Sequence, residues 1–296
     1  MPVILTAAGR PHWELAWSIR MANFPPVIRF AYPDQTSVVS VTGGDCALDC
    51  AHCGGHYLRG MLAPSQALAR ATGPDRPSSW LVSGGCDRRG QVPLAGHSDL
   101  LQQLGRTARL ILHVGLVDGE GAAEEVGRHA TVVALDMVGD RQTAREVMGL
   151  DVDLDDYLQS YRRLARHTRV IPHLCLGLHG GELRGERAVL EALRGEDPEE
   201  VVFLVFSPTP GTTYQDRTPP PIVEVIDLLA WSRQQFPATP LTLGCMRPRG
   251  AYRAQLDDMA VRIGINGVAV PTPAAERAAA DCGLTVVRGE ECCVLR

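Results

Sequence analysis

Short, continuous runs of apolar and β-branched residues recur along the chain, separated by longer stretches in which apolar positions return every three or four residues. The runs fall at 37–42, 79–83, 110–115, 131–136, 169–177, 201–206, 241–244 and 267–271. Helical patterning is plain at 155–167, 186–194, 221–235, 251–264 and 273–282. Strands without polar alternation belong to parallel sheets covered on both faces. Eight of them alternating with helices over about 240 residues match a (β/α)₈ barrel. The expected fold is therefore α/β, a TIM-type barrel that is complete or partly open. Residues 1–36 are expected to form a helical cap centred on 13–22, and 37–272 the barrel. Residues 273–296 then add a C-terminal helix and a cysteine-bearing tail packed on the barrel. The tail's stretch from 283 onward is expected to run as a short strand.

Composition narrows the class. The chain has 296 residues, of which 45% are hydrophobic, with a formal net charge of −5. That is an ordinary globular balance, and it gives no electrostatic reason to expect nucleic acid or an anionic membrane as partner. The opening MPVILTAAGR lacks the basic and apolar regions of a signal peptide, and no apolar run could span a bilayer. These features predict a cytoplasmic protein. Nine cysteines then require an explanation, because reducing compartments disfavour disulfides and an odd number leaves one unpaired.

Three of them, Cys46, Cys50 and Cys53, follow the first run in Thr-Gly-Gly-Asp-Cys-Ala-Leu-Asp-Cys-Ala-His-Cys. Thiolates spaced four and then three residues apart can reach one iron–sulfur cluster from a single loop. A tetrahedral zinc site on these three cysteines and His56 is the competing reading. Structural zinc sites usually draw ligands as two separated pairs, and no second pair stands nearby, so the cluster is preferred.

The C-x₃-C-x₂-C loop directly after the first strand resembles the signature of the radical S-adenosylmethionine superfamily. Further segments, Cys-Ala-His-Cys-Gly-Gly-His-Tyr-Leu at 50–58, Ser-Gly-Gly-Cys-Asp at 83–87, Leu-Gly-Cys-Met-Arg-Pro-Arg-Gly at 243–250 and Glu-Glu-Cys-Cys at 290–293, are similar to a biotin-synthase-related group. Within that group the chain resembles the smaller partner of the two-protein lipoyl synthases. The resemblance implies a [4Fe–4S] cluster with one open iron that binds S-adenosylmethionine. One-electron cleavage of that cofactor would generate a 5′-deoxyadenosyl radical. It places His52 where an aromatic residue lies against the adenine. It places Gly84 and Gly85 where a Gly-Gly-Glu motif meets the methionine ammonium group, with Cys86 replacing the Glu. Glycines demanded by a tight strand-to-helix turn would read the same way. Asp136 falls at a ribose-binding strand end, with Ala134 where the group has Asn, and a helix N-cap is its other possible task.

Cys86 ends the second run, Cys175 lies in the fifth, Cys245 ends the seventh, and Cys292 and Cys293 sit in the tail. Thiols gathered at a barrel mouth suggest a second, auxiliary iron–sulfur cluster facing the first. Adjacent Cys292 and Cys293 would struggle to bind it together. Arg247 and Arg249 stand near the strand end where biotin synthase uses an arginine ligand. Cys282 reads as an inert core cysteine. His113, His173 and His179 receive no catalytic role, and no side chain is singled out as catalytic. The 207–212 segment reads as a rigid loop over the active end.

The resemblance implies sulfur insertion into an octanoyl chain on a lipoyl-carrier protein. That protein, a second radical enzyme and a reductant such as ferredoxin or flavodoxin are the implied partners. A radical enzyme acting on another small molecule, a non-enzymatic iron–sulfur or zinc scaffold and a nucleic-acid-modifying radical enzyme remain open readings.

Overall fold

A computed structural model describes residues 11–295. The signal-peptide reading of the opening decapeptide, and the first ten residues of the expected cap, lie outside them. The strands are β1 (Val27–Ala31), β2 (Thr36–Ser40), β3 (Ser79–Ser83), β4 (Arg109–Val114), β5 (Val132–Asp136), β6 (Val170–Leu176), β7 (Val201–Val205), β8 (Leu241–Leu243), β9 (Gly267–Ala269) and β10 (Thr285–Gly289). The helices are α1 (Pro11–Asn23), α2 (Pro64–Ala71), α3 (Ser98–Gly105), α4 (Glu120–His129), α5 (Arg141–Met148), α6 (Leu154–Ala165), α7 (Glu186–Leu193), α8 (Ile222–Gln235), α9 (Ala251–Arg262) and α10 (Pro273–Asp281).

All ten strands form one parallel sheet in the order β10-β1-β9-β8-β7-β6-β5-β4-β3-β2. The described residues thus depart from an eight-stranded closed barrel: two further strands are present, and β2 and β10 are left as edges. β1 lies inside the segment expected to be a helical cap. Pro25-Pro26 ends the helical stretch and Val-Ile-Arg-Phe-Ala extends, slotting between β9 and β10. β10 lies beside β1 at the sheet edge, in the stretch expected to run as a short strand.

The period-two pleat sorts the strand residues into two cores. Trp80, Val82, Leu110, Leu112, Val133, Leu135, Leu174, Leu176, Phe203 and Val205 face the helices. Ile111, Ala134, Ile171 and Val202 face the interior. The tail fills the lower part of that interior. Beyond β10 the chain passes the start of β2, where Gln35 N–H donates to Glu290 O at 2.8 Å and Cys292 N–H to Thr36 Oγ1 at 2.9 Å. Glu291 forms an ion pair with Arg109, the first residue of β4. Cys293, Val294 and Leu295 are buried against the inward residues of six strands. Burying Val294 and Leu295 contributes about 2 kcal/mol each, so the tail is a packed floor. No helix of the described residues is long and apolar enough to cross a membrane.

Candidate active site

The triad loop leaves the C-terminal end of β2 and is held from four sides. Thr42 Oγ1 donates to Asp45 O at 2.8 Å and accepts from Gly85 N–H at 2.7 Å. Ala47 N–H donates to Cys86 O, and Ala51 N–H to Val147 O, each at 2.7 Å. Tyr214 N–H donates to Ala51 O at 2.8 Å, and Tyr57 Oη meets Thr209 Oγ1 at 3.2 Å, so the 207–215 loop lies on the triad. Gly54 and Gly55 take left-handed φ values of 50° and 69°, turning the chain just after Cys53.

All nine cysteines are free thiols, and Cys46, Cys50 and Cys53 are half-buried. Burial, with Cys53, Cys46 and Cys86 adding negative charge nearby, pushes the Cys50 thiol up to about 12. Burial likewise raises Cys86 to about 12, with Cys46 the next influence, then Asp136, Asp87 and Cys53. Cys86 therefore stands beside the triad. Such thiols ionise when a soft metal centre displaces their protons. Among the described residues no three His, Cys, Asp or Glu side chains converge as a single-ion site would require. Three cysteine thiolates on one loop are a soft donor set of the kind that holds iron–sulfur clusters.

Gly84 and Gly85 end β3 without positive φ, so a turn does not require glycine dihedrals here. Space does. A Cβ on Gly85 would come within 2.0 Å of Asp45 O and 2.7 Å of Cys46 Cβ, and one on Gly84 within 3.0 Å of Val41. The bare backbone of β3 is thus the platform against which the triad loop lies.

Asp136 ends β5, yet 53% of its side chain is solvent-accessible, because it faces the open upper interior. It is not a helix cap: Asp140 caps α5, accepting from Thr143 N–H at 2.9 Å. Asp136 Oδ2 lies 3.5 Å from His113 Nε2. Burial pushes the Asp136 carboxyl up, but His113, His173 and His52 more than offset it, and the carboxyl falls below its ordinary range. Burial pushes His113 down, and Asp136 overrides this, raising the imidazole. Burial holds His52 down at about 4, so it stays neutral, and its buried Nδ1 has no hydrogen-bond partner among the described residues. His52 is thus a neutral ring near a carboxylate on the interior wall.

The remaining thiols divide. Cys175, on β6, has its thiol pushed up by burial, with Asp136 and Glu186 adding to this. Cys245 is exposed at the end of β8, where burial of its thiol among the surrounding walls and then Cys292 raise it. The Cys293 hydrogen bond is the main cause that lowers Cys292 to about 7, while Cys293 itself is pushed up in the buried floor. Cys282 caps the end of α10, outside the interior.

Arg247 is committed elsewhere. Arg247 and Asp257 form an ion pair at 2.9 Å with both side chains 0% exposed. The same guanidinium donates to the carbonyls of Gly244, Ala269 and Val270, and Asp257 accepts from Thr272 N–H. This clip joins the ends of β8 and β9 and holds Val270 at φ 48°, a costly conformation for a β-branched residue. Arg247 therefore has no donor directed at the interior, and Arg249 is exposed. A surface cleft of about 700 Å³ lined by Glu182, Arg217, Pro220 and Tyr252 lies apart from all these thiols.

No protein-family model matches the chain, and no curated protein matches it. Solved structures do. Methylornithine synthase (PylB) superposes with a TM-score of 0.65 at 14% identity, over 96% of this chain and 92% of that one. The FeFe-hydrogenase maturase HydG from Carboxydothermus hydrogenoformans gives 0.68 at 13% identity, over 93% and 71%. This chain has their fold. SuiB of Streptococcus suis, solved bound to S-adenosylmethionine, gives 0.52 at 12% identity, over 84% of this chain and 59% of that one.

Proposed function

We propose that this chain is a radical S-adenosylmethionine enzyme whose Cys46, Cys50 and Cys53 hold a [4Fe–4S] cluster. The observation that carries the reading is the triad loop itself. Three half-buried thiols share one loop at the C-terminal end of a parallel half-barrel, where such folds place their chemistry. The likeness of fold to SuiB, solved with S-adenosylmethionine, supports the same cofactor here. Held by Cys46, Cys50 and Cys53, the cluster would supply the one-electron reduction that cleaves a C–S bond of S-adenosylmethionine.

The protein's own residues position the reactants. The Gly84–Gly85 backbone, against which the triad loop packs, would offer its carbonyl oxygens to the methionine ammonium group. Asp136 offers its carboxylate to the ribose hydroxyls, and His52 offers a neutral ring to the adenine. The 207–215 loop covers the triad and limits water.

We infer further that the substrate is an octanoyl chain on a lipoyl-carrier protein, modified by sulfur insertion. A second radical enzyme would be its partner, with ferredoxin or flavodoxin as reductant. Support comes from the sequence resemblance and from Cys292 standing near enough to Cys245 to raise that thiol at the interior wall. These two thiols would hold the auxiliary cluster. Reduced protein incubated with S-adenosylmethionine should release 5′-deoxyadenosine, and an octanoyl-lysine peptide should become thiolated. No 5′-deoxyadenosine would reject the enzyme; release without thiolation would reject only sulfur insertion.

A further inference from the structure

The interior wall above the floor is polar over three consecutive strands. Ile111, Ala134 and Ile171 line the lower interior from β4, β5 and β6. Two residues further along each strand, the same face carries His113, Asp136 and His173. His113 is opposite Ala134 in the β4–β5 register, and Asp136 is opposite His173 in the β5–β6 register. Asp136 has a proposed task at the ribose, and His113 has none.

His113 is held from several directions. Its Nε2 lies 3.5 Å from Asp136 Oδ2. The His173 ring stands edge-on to it at 87°, with centroids 5.9 Å apart. His173 is itself buried, with Nδ1 2.9 Å from Ile171 O. Ser83 Oγ donates to the His113 carbonyl at 2.9 Å and ties the ends of β3 and β4 together. Burial alone would lower His113 and raise Asp136. Their mutual attraction, joined by His173 and His52 on the carboxylate, reverses both.

Stability does not account for the pair. The two side chains are 30% and 53% exposed, and an ion pair so open to solvent contributes about 0–1 kcal/mol. What the pair does fix is one carboxylate oxygen. A carboxylate offers about four lone-pair sites, so contact with His113 through Oδ2 leaves acceptor capacity facing the open interior.

We propose that His113 is the positioning residue of the ribose site, its imidazole orienting the Asp136 carboxylate so that the remaining lone pairs accept from the ribose hydroxyls of S-adenosylmethionine. The inference rests on the ribose reading of Asp136 above. His113 acts through the carboxylate and touches no reacting atom.

The test is equilibrium binding of S-adenosylmethionine, and of its 2′,3′-dideoxy analogue, to the reconstituted, oxidised full chain. The wild type should prefer the natural cofactor. His113→Phe keeps a ring and removes both nitrogens. It should weaken binding of S-adenosylmethionine about tenfold, as loss of one charge-assisted contact would, and leave the analogue's Kd and the iron content unchanged. His113→Gln, which restores an N–H donor, should recover most of the preference. His113→Asn, too short to reach the carboxylate, should behave as His113→Phe does and replaces it should that variant not fold. In an Asp136→Ala background, His113→Phe should add nothing, because the two residues act as one unit. An unchanged preference in His113→Phe and His113→Asn, or a loss that adds to that of Asp136→Ala, would overturn the proposal and leave the ribose site intact. Wild-type binding by Asp136→Ala would overturn both. No binding of S-adenosylmethionine by the wild type would overturn the enzyme reading and this inference with it.

Discussion

Gly85 and Cys46 lie so close that a methyl group on Gly85 would meet Cys46 Cβ at 2.7 Å and the Asp45 carbonyl at 2.0 Å. Both obstacles belong to the loop carrying the triad, and a backbone oxygen cannot rotate away as a side chain can. Gly85→Ala should displace the loop and cost about 1–3 kcal/mol or more. The triad iron should fall steeply. Gly44→Ala, whose Cβ would meet nothing within 4 Å, should leave iron unchanged. Equal iron in both variants would show that this contact does not set the loop.

Asp136 is the carboxylate at the open interior wall. If it binds the ribose hydroxyls, Asp136→Ala should raise the KM for S-adenosylmethionine about tenfold or more, from the loss of charge-assisted hydrogen bonds. Iron content should not change. Steady-state kinetics with iron analysis checks this, and unaltered kinetics would defeat the assignment.

Much of this architecture is legible before any coordinates. The runs at 37–42 through 267–271 each overlap a strand from β2 to β9, because a strand buried on both faces leaves an unbroken apolar signal. β1 is harder to read: Arg29 interrupts its five residues, and helix α1 dominates the segment before it. The triad is local and so visible as spacing. The partition of the other cysteines is not, since it depends on the tail passing the start of β2 and entering the barrel. Cys86 and Cys245 both end strands, and only the folded chain separates the first to the triad and the second to Cys292. The Pro25-Pro26 breaker before β1 was a usable signal, whereas the task of Arg247 depends on Asp257 ten residues away.

Arg247 gives a direct check of that partition. Removing one partner of a fully buried ion pair costs about 3–5 kcal/mol, while replacing both by apolar residues of similar size is often nearly neutral. Arg247→Ala should therefore destabilise the protein strongly in chemical denaturation. The pair Arg247→Met with Asp257→Leu should recover only part of the loss, because the Gly244, Ala269 and Val270 carbonyls and the Thr272 N–H lose their partners, and it should keep the wild-type iron content. Loss of residual iron in the folded double variant would instead make Arg247 a ligand.

The floor separates the two tail cysteines. Val294→Asp would bury an unpaired carboxylate against Ile111, Ile171 and Val202, and should destabilise by several kcal/mol. Cys293→Ala should lower stability modestly with iron retained, whereas Cys292→Ala should lose the auxiliary iron. The reverse pattern in iron analysis would exchange their roles.

The most direct test counts iron and sulfide per chain after anaerobic reconstitution, in the wild type and in the variant with Cys46, Cys50 and Cys53 all changed to alanine. About eight irons falling to about four is the expected result, one cluster on the triad and one remaining. One zinc per chain without sulfide, or iron that is indifferent to loss of the three cysteines, would contradict the account at its base.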